Sequence, residues 1–237
     1  QRLDALAVEL GDGRGDLARA RPMPFEVVRD FFFAHRTYFD LLDRAAEALA
    51  REAAAAGIPL LDWLTAHLSS RHVVRVVASD DGQPVRQRHF EPDTRILRLS
   101  PTLAAGQQAF QLATQLALLE MDSTIGALVT GAALDDPAAN VLARIGLANY
   151  VAGAMLLPYT DFLQAAEQLR YDIDRLAQRF GVGFETVCHR LSTLQRQGAP
   201  GVPFFFIRVD RAGNISKRQS ATHFHFSRTG GTCPLWN

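Results

Sequence analysis

The stretch that decides the fold is FQLATQLALLE, residues 110–120, at which a predicted sheet gives way to a predicted helix. Three segments before it alternate β-branched or aromatic residues with polar ones between turn residues, as short strands do. They are HVVRVVAS (72–79), VRQRHF (85–90) and TRILRLS (94–100). A helix from about Pro101 to Leu119 then contains the deciding stretch, so strands and helix form one unit.

The rest of the chain is mainly helical, because its apolar residues recur at helical spacing. The predicted helices lie within 24–57, 58–70, 137–158, 159–168 and 171–198. Two further strands are predicted at VPFFFIRVD (202–210) and ATHFHFS (221–227), around the turn RAGNIS. We therefore predict an α+β fold, mostly helical with a small sheet, in three parts. They are a linker or arm at 1–23, a helical arm with the main domain at 24–198, and the start of a C-terminal β-containing subdomain at 199–237.

The composition is that of an ordinary soluble globular protein, with 48% hydrophobic and 21% charged residues. The net charge is zero, from 25 basic and 25 acidic residues, so nothing overall favours nucleic acid or a membrane surface. Only Cys188 and Cys233 are cysteines, which is too few for a disulfide framework and favours the reducing cytoplasm. The chain starts at Gln1 without Met, and we expect it to be a piece of a longer protein.

The deciding stretch has the frame of a zinc peptidase helix without its reactive groups. Such a helix needs two His at i and i+4 on one face, with a Glu between them as general base. Three strands followed by F-x-L-A-H-E-L-G-H is the arrangement of the IrrE-like peptidases, which this segment resembles. The apolar frame matches at Phe110, Leu112, Ala113, Leu116 and Ala117. Thr114 and Leu118 occupy the His positions, and Gln115 occupies the Glu position.

A second segment supports the same resemblance and lacks the same chemistry. RIGLANYVAGAMLLPY (144–159) is similar to the family's next helix, in which a third ligand, Glu, precedes A-N-x-F-A-x-x-L-L-x-P. Here the preceding positions are Ile145, Gly146 and Leu147, and Leu cannot bind zinc. The resemblance therefore implies a degenerate, zincin-like metallopeptidase scaffold that is not an enzyme. Its groove would hold a ligand where the peptidases hold a peptide.

Residues 24–237 also resemble the short-chain fatty acyl transcriptional regulators, bacterial regulators of propionate and acetate metabolism. The segments that carry this resemblance are 25–47, LANYVAGAMLLPY (147–159), 176–196, GVPFFFIRVDRAGNISKRQS (201–220) and FHFSRTGGTCPLW (224–236). The resemblance implies a domain that senses CoA or a short-chain acyl-CoA such as propionyl-CoA. It also implies that promoter DNA is bound by a domain absent from this chain. An iron–sulfur cluster is expected only in the full-length protein, where Cys233 would be a ligand.

A site for CoA needs cationic side chains for its phosphates and an aromatic or Arg surface for its adenine. The residues proposed for it are Tyr150, Arg71, Arg75, Arg95, Arg208, Lys217 and Arg218. Each of them alone also fits a solvated charge or a core tyrosine. The triplets Phe31–Phe33 and Phe204–Phe206 fit either core packing or a subunit interface, and we expect a homo-oligomer, a dimer or a tetramer.

A rival function is direct DNA binding through residues 174–197, which read locally as a helix-turn-helix. The second helix is predicted from Phe184 to about Gln197. Base edges would be read by His189, Arg190, Gln195 and Arg196. The alternative is a helical hairpin packed on the domain. Neither reading includes a membrane partner, because no run of 18 apolar residues occurs.

Overall fold

The computed structural model describes residues 23–79, 87–212 and 215–220, which form nine helices and five strands. The elements before the predicted peptidase helix are α1 (Pro24–Ala34), α2 (Asp40–Ala55), α3 (Leu60–His72), β1 (Arg75–Ala78), β2 (Arg88–Glu91) and β3 (Ile96–Leu99). The helices that follow are α4 (Ala105–Glu120), α5 (Asp122–Gly131), α6 (Pro137–Leu156), α7 (Tyr159–Gln168), α8 (Ile173–Phe180) and α9 (Phe184–Leu191). The last two strands are β4 (Phe205–Val209) and β5 (Ile215–Ser220). The predicted mostly helical α+β fold is confirmed.

The first three strands form one mixed sheet in the order β1-β3-β2. β3 is central, parallel to β1 and antiparallel to β2. Its Leu97 and Leu99 are buried while the alternate residues Ile96 and Arg98 are only partly covered, which is the alternation expected of a sheet with one face on the core. The sheet leads directly into α4, so the order predicted from the sequence is confirmed.

Helix α6 is the core of the fold and packs against α1, α2, α4, α5 and α9. Its start is fixed by Asp136, whose carboxylate accepts a hydrogen bond from the Ala138 N–H at 2.7 Å, and by Pro137 in the first turn. By length and composition α6 would suffice to span a bilayer, and α4 with α5 would pass only if joined across a 76° bend. More than half of the apolar window of α6 is buried against its neighbours, as in the core helix of a globular domain.

Two predictions for the C-terminal third need correction. α9 ends at Leu191 and not near Gln197, because the four-residue bonding pattern stops there: the Thr193 N–H bonds to the Arg190 carbonyl and the Gln195 N–H to the Thr193 carbonyl. The strand paired with β4 is β5, at ISKRQS, whereas ATHFHFS was predicted for that place. ATHFHFS and the arm at 1–22 lie outside the residues described.

A buried carboxylate joins three separate parts of the chain. Asp43 on α2 is fully buried and accepts a 2.6 Å hydrogen bond from the guanidinium of Arg190 on α9. The same oxygen, Oδ2, accepts from the Tyr150 hydroxyl of α6 at 2.7 Å, and Oδ1 accepts from Arg196 at 2.9 Å. We call these four residues, with Glu47, the Asp43 network. Because every charge in it is paired, the desolvation penalty of the buried ions is offset.

Glu47 extends the Asp43 network by one turn of α2. It accepts from Arg196 at 2.9 Å, and from the Thr160 hydroxyl and N–H at 2.6 and 3.0 Å. Burial by itself would raise the pKa of Glu47, but these hydrogen bonds outweigh it and hold that pKa at about 2. The start of α7 is thereby fixed to α2.

We expect Asp43→Ala to lower the free energy of unfolding by about 3–5 kcal/mol, because it leaves two buried guanidinium groups without their shared partner. Urea unfolding followed by circular dichroism measures the change. Asp40→Ala, on the same helix, is the matched control, because Asp40 pairs with Arg44 at the surface and its loss should change stability little. Equal effects of the two substitutions would contradict the central place given to Asp43.

The depressed pKa of Glu47 predicts a pH dependence with a defined sign. An unfolded Glu has a pKa of about 4.3, so the folded state holds this proton less tightly than the unfolded state. The stability from Glu47 is complete above about pH 5 and is lost as the pH falls towards 2. Glu47→Gln should therefore flatten the loss of stability over that interval in urea titrations. The exposed Glu167→Gln should leave it unchanged.

Candidate functional site

A cavity of about 680 Å³ lies between α1, α4, α6, α9 and the β4–β5 strand pair. We call it the central cavity. Much of its lining is apolar and comes from Phe25, Val28, Phe32, Phe33, Leu103 and Phe110. Phe31, by contrast, is buried in the core, so the first Phe triplet divides between packing and the cavity wall. α4 contributes Gly106, Gln107, Phe110 and Gln111 to the lining, and Phe110 is the one residue of the peptidase-like frame among them.

The positions of the missing zinc ligands are filled by internal contacts. The Thr114 hydroxyl donates to the Phe110 carbonyl at 2.8 Å and lies 3.3 Å from the side-chain oxygen of Asn149. The side-chain carbonyl of Gln115 accepts from Arg88 at 3.1 Å. Leu118 packs against the core. A hydroxyl, an amide and an alkyl group are a poor ligand set for zinc.

Glycines on two helices shape the cavity. Gly146 and Gly153 are two turns apart on α6, so both face the same side. A Cβ at Gly146 would come within 3.0 Å of the Phe32 ring, whereas a Cβ at Gly153 would meet open space. Gly106 at the start of α4 is a contact point, because a Cβ there would lie 2.3 Å from the carbonyl oxygen of Gly181. The cavity is open at Gly153 and tightly packed at Gly106.

Charged and polar side chains also line the central cavity. Arg208 of β4 donates to the Glu185 carboxylate of α9 at 3.0 and 3.2 Å. His189 of α9 lies 2.8 Å from the side-chain oxygen of Gln219 on β5. Arg29 of α1, paired with Asp30 at 3.1 Å, adds a second cation to the lining. An anionic group that reached both Arg29 and Arg208 would meet two guanidinium groups from different elements and the Glu185 carboxylate.

The innermost wall connects the central cavity to the Asp43 network. Tyr150 and Arg190 line the cavity while bonding to Asp43. Burial, and then the Asp43 charge, raise the pKa of Tyr150 well above its usual value, so its hydroxyl remains a neutral donor. It also accepts a hydrogen bond from the Phe39 N–H at 3.3 Å. These two side chains are positioned by packing and cannot rotate freely to meet a ligand.

The residues proposed for CoA fall into two groups. Tyr150 and Arg208 line the central cavity. Arg71, Arg75 and Arg95 do not: Arg71 lies 3.9 Å from Glu52, Arg75 is exposed on β1, and Arg95 donates to the His72 carbonyl at 3.1 Å.

Two other predicted residues lie on the strand next to the cavity. Lys217 and Arg218 belong to β5, where their backbones pair with Arg208 and Ile207. Cys233 lies outside the described residues. The sequence reading missed Arg29, which only the folding of α1 over α6 brings to the cavity.

The hypothesis that residues 174–197 bind DNA is wrong for two of the four side chains proposed to contact bases, Arg190 and Arg196. The guanidinium groups of Arg190 and Arg196 are buried, with side-chain exposures of 2% and 9%. Both are held by Asp43 and cannot reach a base edge in a groove. α8 packs against α9 as a helical hairpin, and α9 packs on α6. This segment is therefore the alternative that the sequence left open, a helical hairpin packed on the domain.

Two family models match this chain. One, described as the IrrE N-terminal-like domain, covers residues 69–192. The other, described as the short-chain fatty acyl coenzyme A regulator, C-terminal, covers residues 193–237. The boundary between them lies just after α9, within the turn that contributes Arg196 to the Asp43 network.

Similar proteins have been named as transcriptional regulators. The HTH-type transcriptional regulator PrpR of Mycobacterium tuberculosis is 55% identical over 93% of this chain and 46% of its own. RamB of the same organism is 48% identical over 96% of this chain and 47% of its own length. The propionyl-CoA carboxylase regulator of Cereibacter sphaeroides is 47% identical over 100% of this chain and 49% of its own length. The chain thus spans about half the length of these curated relatives.

A solved structure has the same fold. It is titled Mycobacterium tuberculosis transcriptional regulator and superposes with a TM-score of 0.84 at 54% identity. The superposition covers 91% of this chain and 65% of that one.

Opposite effects are expected for two glycines on the wall of the central cavity. Gly106→Ala should destabilise the fold by about 1–3 kcal/mol, because the new methyl meets the Gly181 backbone, which cannot easily retreat. Gly153→Ala should stabilise it by up to about 1 kcal/mol, because Ala favours the helix and the site is open. Thermal and urea unfolding of both variants measure the two signs. If both variants were stabilised, the backbone around Gly106 would have moved to admit the methyl group. If both were destabilised, the space beside Gly153 would be closed.

Proposed function

Because this chain belongs to the IrrE N-terminal-like domain family and continues into a short-chain fatty acyl coenzyme A regulator segment, we propose that it senses an acyl-CoA. It is the regulatory region of a bacterial transcription factor that controls propionate or other short-chain fatty acid metabolism. The ligand is CoA or a short-chain acyl-CoA such as propionyl-CoA, and it occupies the central cavity.

The central cavity is the observation that carries this proposal. Its volume of about 680 Å³ is within the range of about 300–1,000 Å³ typical of small-molecule sites. The phenylalanine-rich part suits the acyl group and the methyl and methylene groups of the pantetheine arm, whose two amides and hydroxyl need polar partners. Arg29 and Arg208 suit the phosphates, since guanidinium groups bind phosphate oxygens in a bidentate geometry. For Arg208 this means exchanging Glu185 for phosphate.

The side chains at the peptidase positions of α4 favour a regulator over a peptidase. Hydrolysis by this scaffold needs a metal-activated water and a general base, for which the helix offers Thr114, Gln115 and Leu118. None of these three can act as an imidazole ligand or a carboxylate base. The relatives named above are likewise called regulators. In this proposal the scaffold of the peptidases is kept as a ligand-binding domain that does not catalyse hydrolysis.

Ligand binding would act on the rest of the protein through the cavity walls. Those walls come from α1, α4, α6, α9 and the β4–β5 pair, which are distant in sequence. A ligand that touches several of them favours the arrangement in which they lie together, and only such a difference in affinity can shift a conformational equilibrium. Arg190 and Tyr150 extend that arrangement to α2 through Asp43.

Promoter DNA would be bound by a part of the full protein that is not in this chain, in keeping with the HTH-type names of two relatives. An iron–sulfur cluster with Cys233 as a ligand, a dimer or tetramer, and a cytoplasmic location stay predictions. Residues 1–23 as an arm and 199–237 as the start of a β-containing subdomain stay predictions as well.

Isothermal calorimetry with CoA, acetyl-CoA and propionyl-CoA tests the proposal. We expect binding by the unaltered chain and at least about a tenfold loss of affinity in Gly153→Leu, which fills open space on the cavity side of α6. Gly131→Leu is the matched control, because a side chain there also meets open space but outside the cavity. It should bind normally.

Arg208→Ala tests the phosphate contact separately. Loss of one charge-assisted hydrogen bond of about 1.5–3 kcal/mol should weaken binding by about ten- to a hundredfold. Arg211→Ala, an exposed cation just after β4, should leave the affinity unchanged. If the unaltered chain bound none of the three compounds, or if Gly153→Leu bound them normally, the central cavity would not be an acyl-CoA site.

A further inference from the structure

A cluster of two histidines and a glutamate lies where the ends of α3 and α4 meet. His67 and His72 come from α3, and Glu120 is the last residue of α4. One carboxylate oxygen of Glu120 lies 2.7 Å from Nε2 of His67 and 2.8 Å from Nε2 of His72. The three potential ligand atoms all lie within 4.8 Å of one another. We call these residues the His–Glu cluster.

The His–Glu cluster is separate from the lost peptidase centre. Glu120 follows Leu118 by two residues, which is about 200° around the helix, so the two point to nearly opposite sides of α4. One side faces α6 and carries Thr114, whose hydroxyl lies near Asn149. The other packs on α3, from which both histidines come. None of the three residues of the cluster lines the central cavity.

Two histidines and one carboxylate are the donor set of many protein sites for late first-row divalent cations. Around a tetrahedral Zn²⁺, with ligands at about 2.0–2.1 Å, neighbouring donor atoms are about 3.3 Å apart. The two observed nitrogen–oxygen distances need to open by only about half an ångström to reach that value. The Glu120 side chain is 22% exposed, which leaves a side open for water as a fourth ligand.

Neighbouring groups hold the two histidines in place before any ion arrives. The His67 ring is buried and packs at 4.4 Å, centroid to centroid, on Trp63 one turn earlier in α3. His72 ends α3, and Arg95 donates to its backbone carbonyl at 3.1 Å from the loop before β3. Val73 then turns the chain with a φ of 55° into β1. Such support keeps the cost of organising the ligands low.

We propose that the His–Glu cluster binds a divalent transition-metal ion, with Zn²⁺ as its probe, and that the ion joins the end of α3 to the end of α4. Its role is structural, since it would hold the start of β1 against the helix that forms the cavity wall. Arg95 is then a positioning residue for His72. Without an ion, the same three side chains form a hydrogen-bonded contact.

Zinc binding by the 237-residue chain, stripped with a chelator and dialysed, tests the proposal. Competition with a chromophoric chelator gives stoichiometry and affinity, and thermal unfolding gives the midpoint with and without Zn²⁺. We expect one Zn²⁺ per chain and a higher midpoint, because an ion that binds only the folded state stabilises it. Glu120→Gln should weaken binding more than about tenfold and abolish the rise in midpoint. Its amide can still hydrogen-bond to His67, so this variant should fold.

His72→Gln should reproduce the loss, whereas His89→Gln, an exposed histidine on β2, should bind zinc normally. Co²⁺ provides a second measurement, since its visible absorption reports whether nitrogen and oxygen ligands surround it. If Glu120→Gln keeps the full affinity, the ion lies elsewhere in the chain and the proposal is wrong. If the unaltered chain binds no Zn²⁺ and shows no shift in its midpoint, the cluster is a hydrogen-bonded contact only.

Discussion

The pairing of the buried Asp43 carboxylate is the constraint on which the arrangement of this fold depends. An ionised carboxylate inside a protein must be matched in charge and hydrogen bonds, and here Arg190, Arg196 and Tyr150 meet that need. These partners come from α9, the turn after it and α6. Satisfying one side chain of α2 therefore fixes three other parts of the chain. It also turns a segment with the outline of a DNA-reading motif into a packed hairpin.

The positions of the missing metal ligands adjoin the central cavity at Asn149, which lines the cavity and lies close to Thr114; Thr114, Gln115 and Leu118 do not line it. In the peptidase arrangement, groups on α4 and on the next helix converge on an ion. Here Thr114 bonds to its own helix and lies close to Asn149, so the two helices still pack together without metal. Glycines at 146 and 153 present no side chain to the cavity, which α6 lines also through Asn149 and Tyr150. The central cavity beside these positions is a space that a ligand could fill.

The central cavity and the Asp43 network share Tyr150 and Arg190, and this sharing bears on the proposed sensing. If the side chains of the cavity wall were flexible, they would adjust to a ligand without moving the helices that carry them. These two side chains are instead tied to Asp43, so a shift of α9 against α6 has to disturb buried ion pairs. Closely packed charged networks favour discrete arrangements over gradual ones, which is what a switch requires. The His–Glu cluster stabilises a different junction, between α3 and α4, away from this path.

Sequence patterns alone predicted the order of strands and helices as far as α9, and showed that positions 114, 115 and 118 lack the two His and the Glu of a zinc peptidase helix. Those conclusions rest on short-range periodicity and on residue types at fixed spacing, as at Thr114, Gln115 and Leu118. Only the tertiary structure decided which cations share a site. Arg71, Arg75 and Arg95 looked equivalent to Arg208 in sequence, yet Arg208 lines the cavity while Arg95 holds the His72 carbonyl. Likewise, His67 and Glu120 are 53 positions apart and become neighbours only when α3 packs on α4. A local pattern fixes the face of a helix, whereas its partners depend on long-range packing that no single segment encodes.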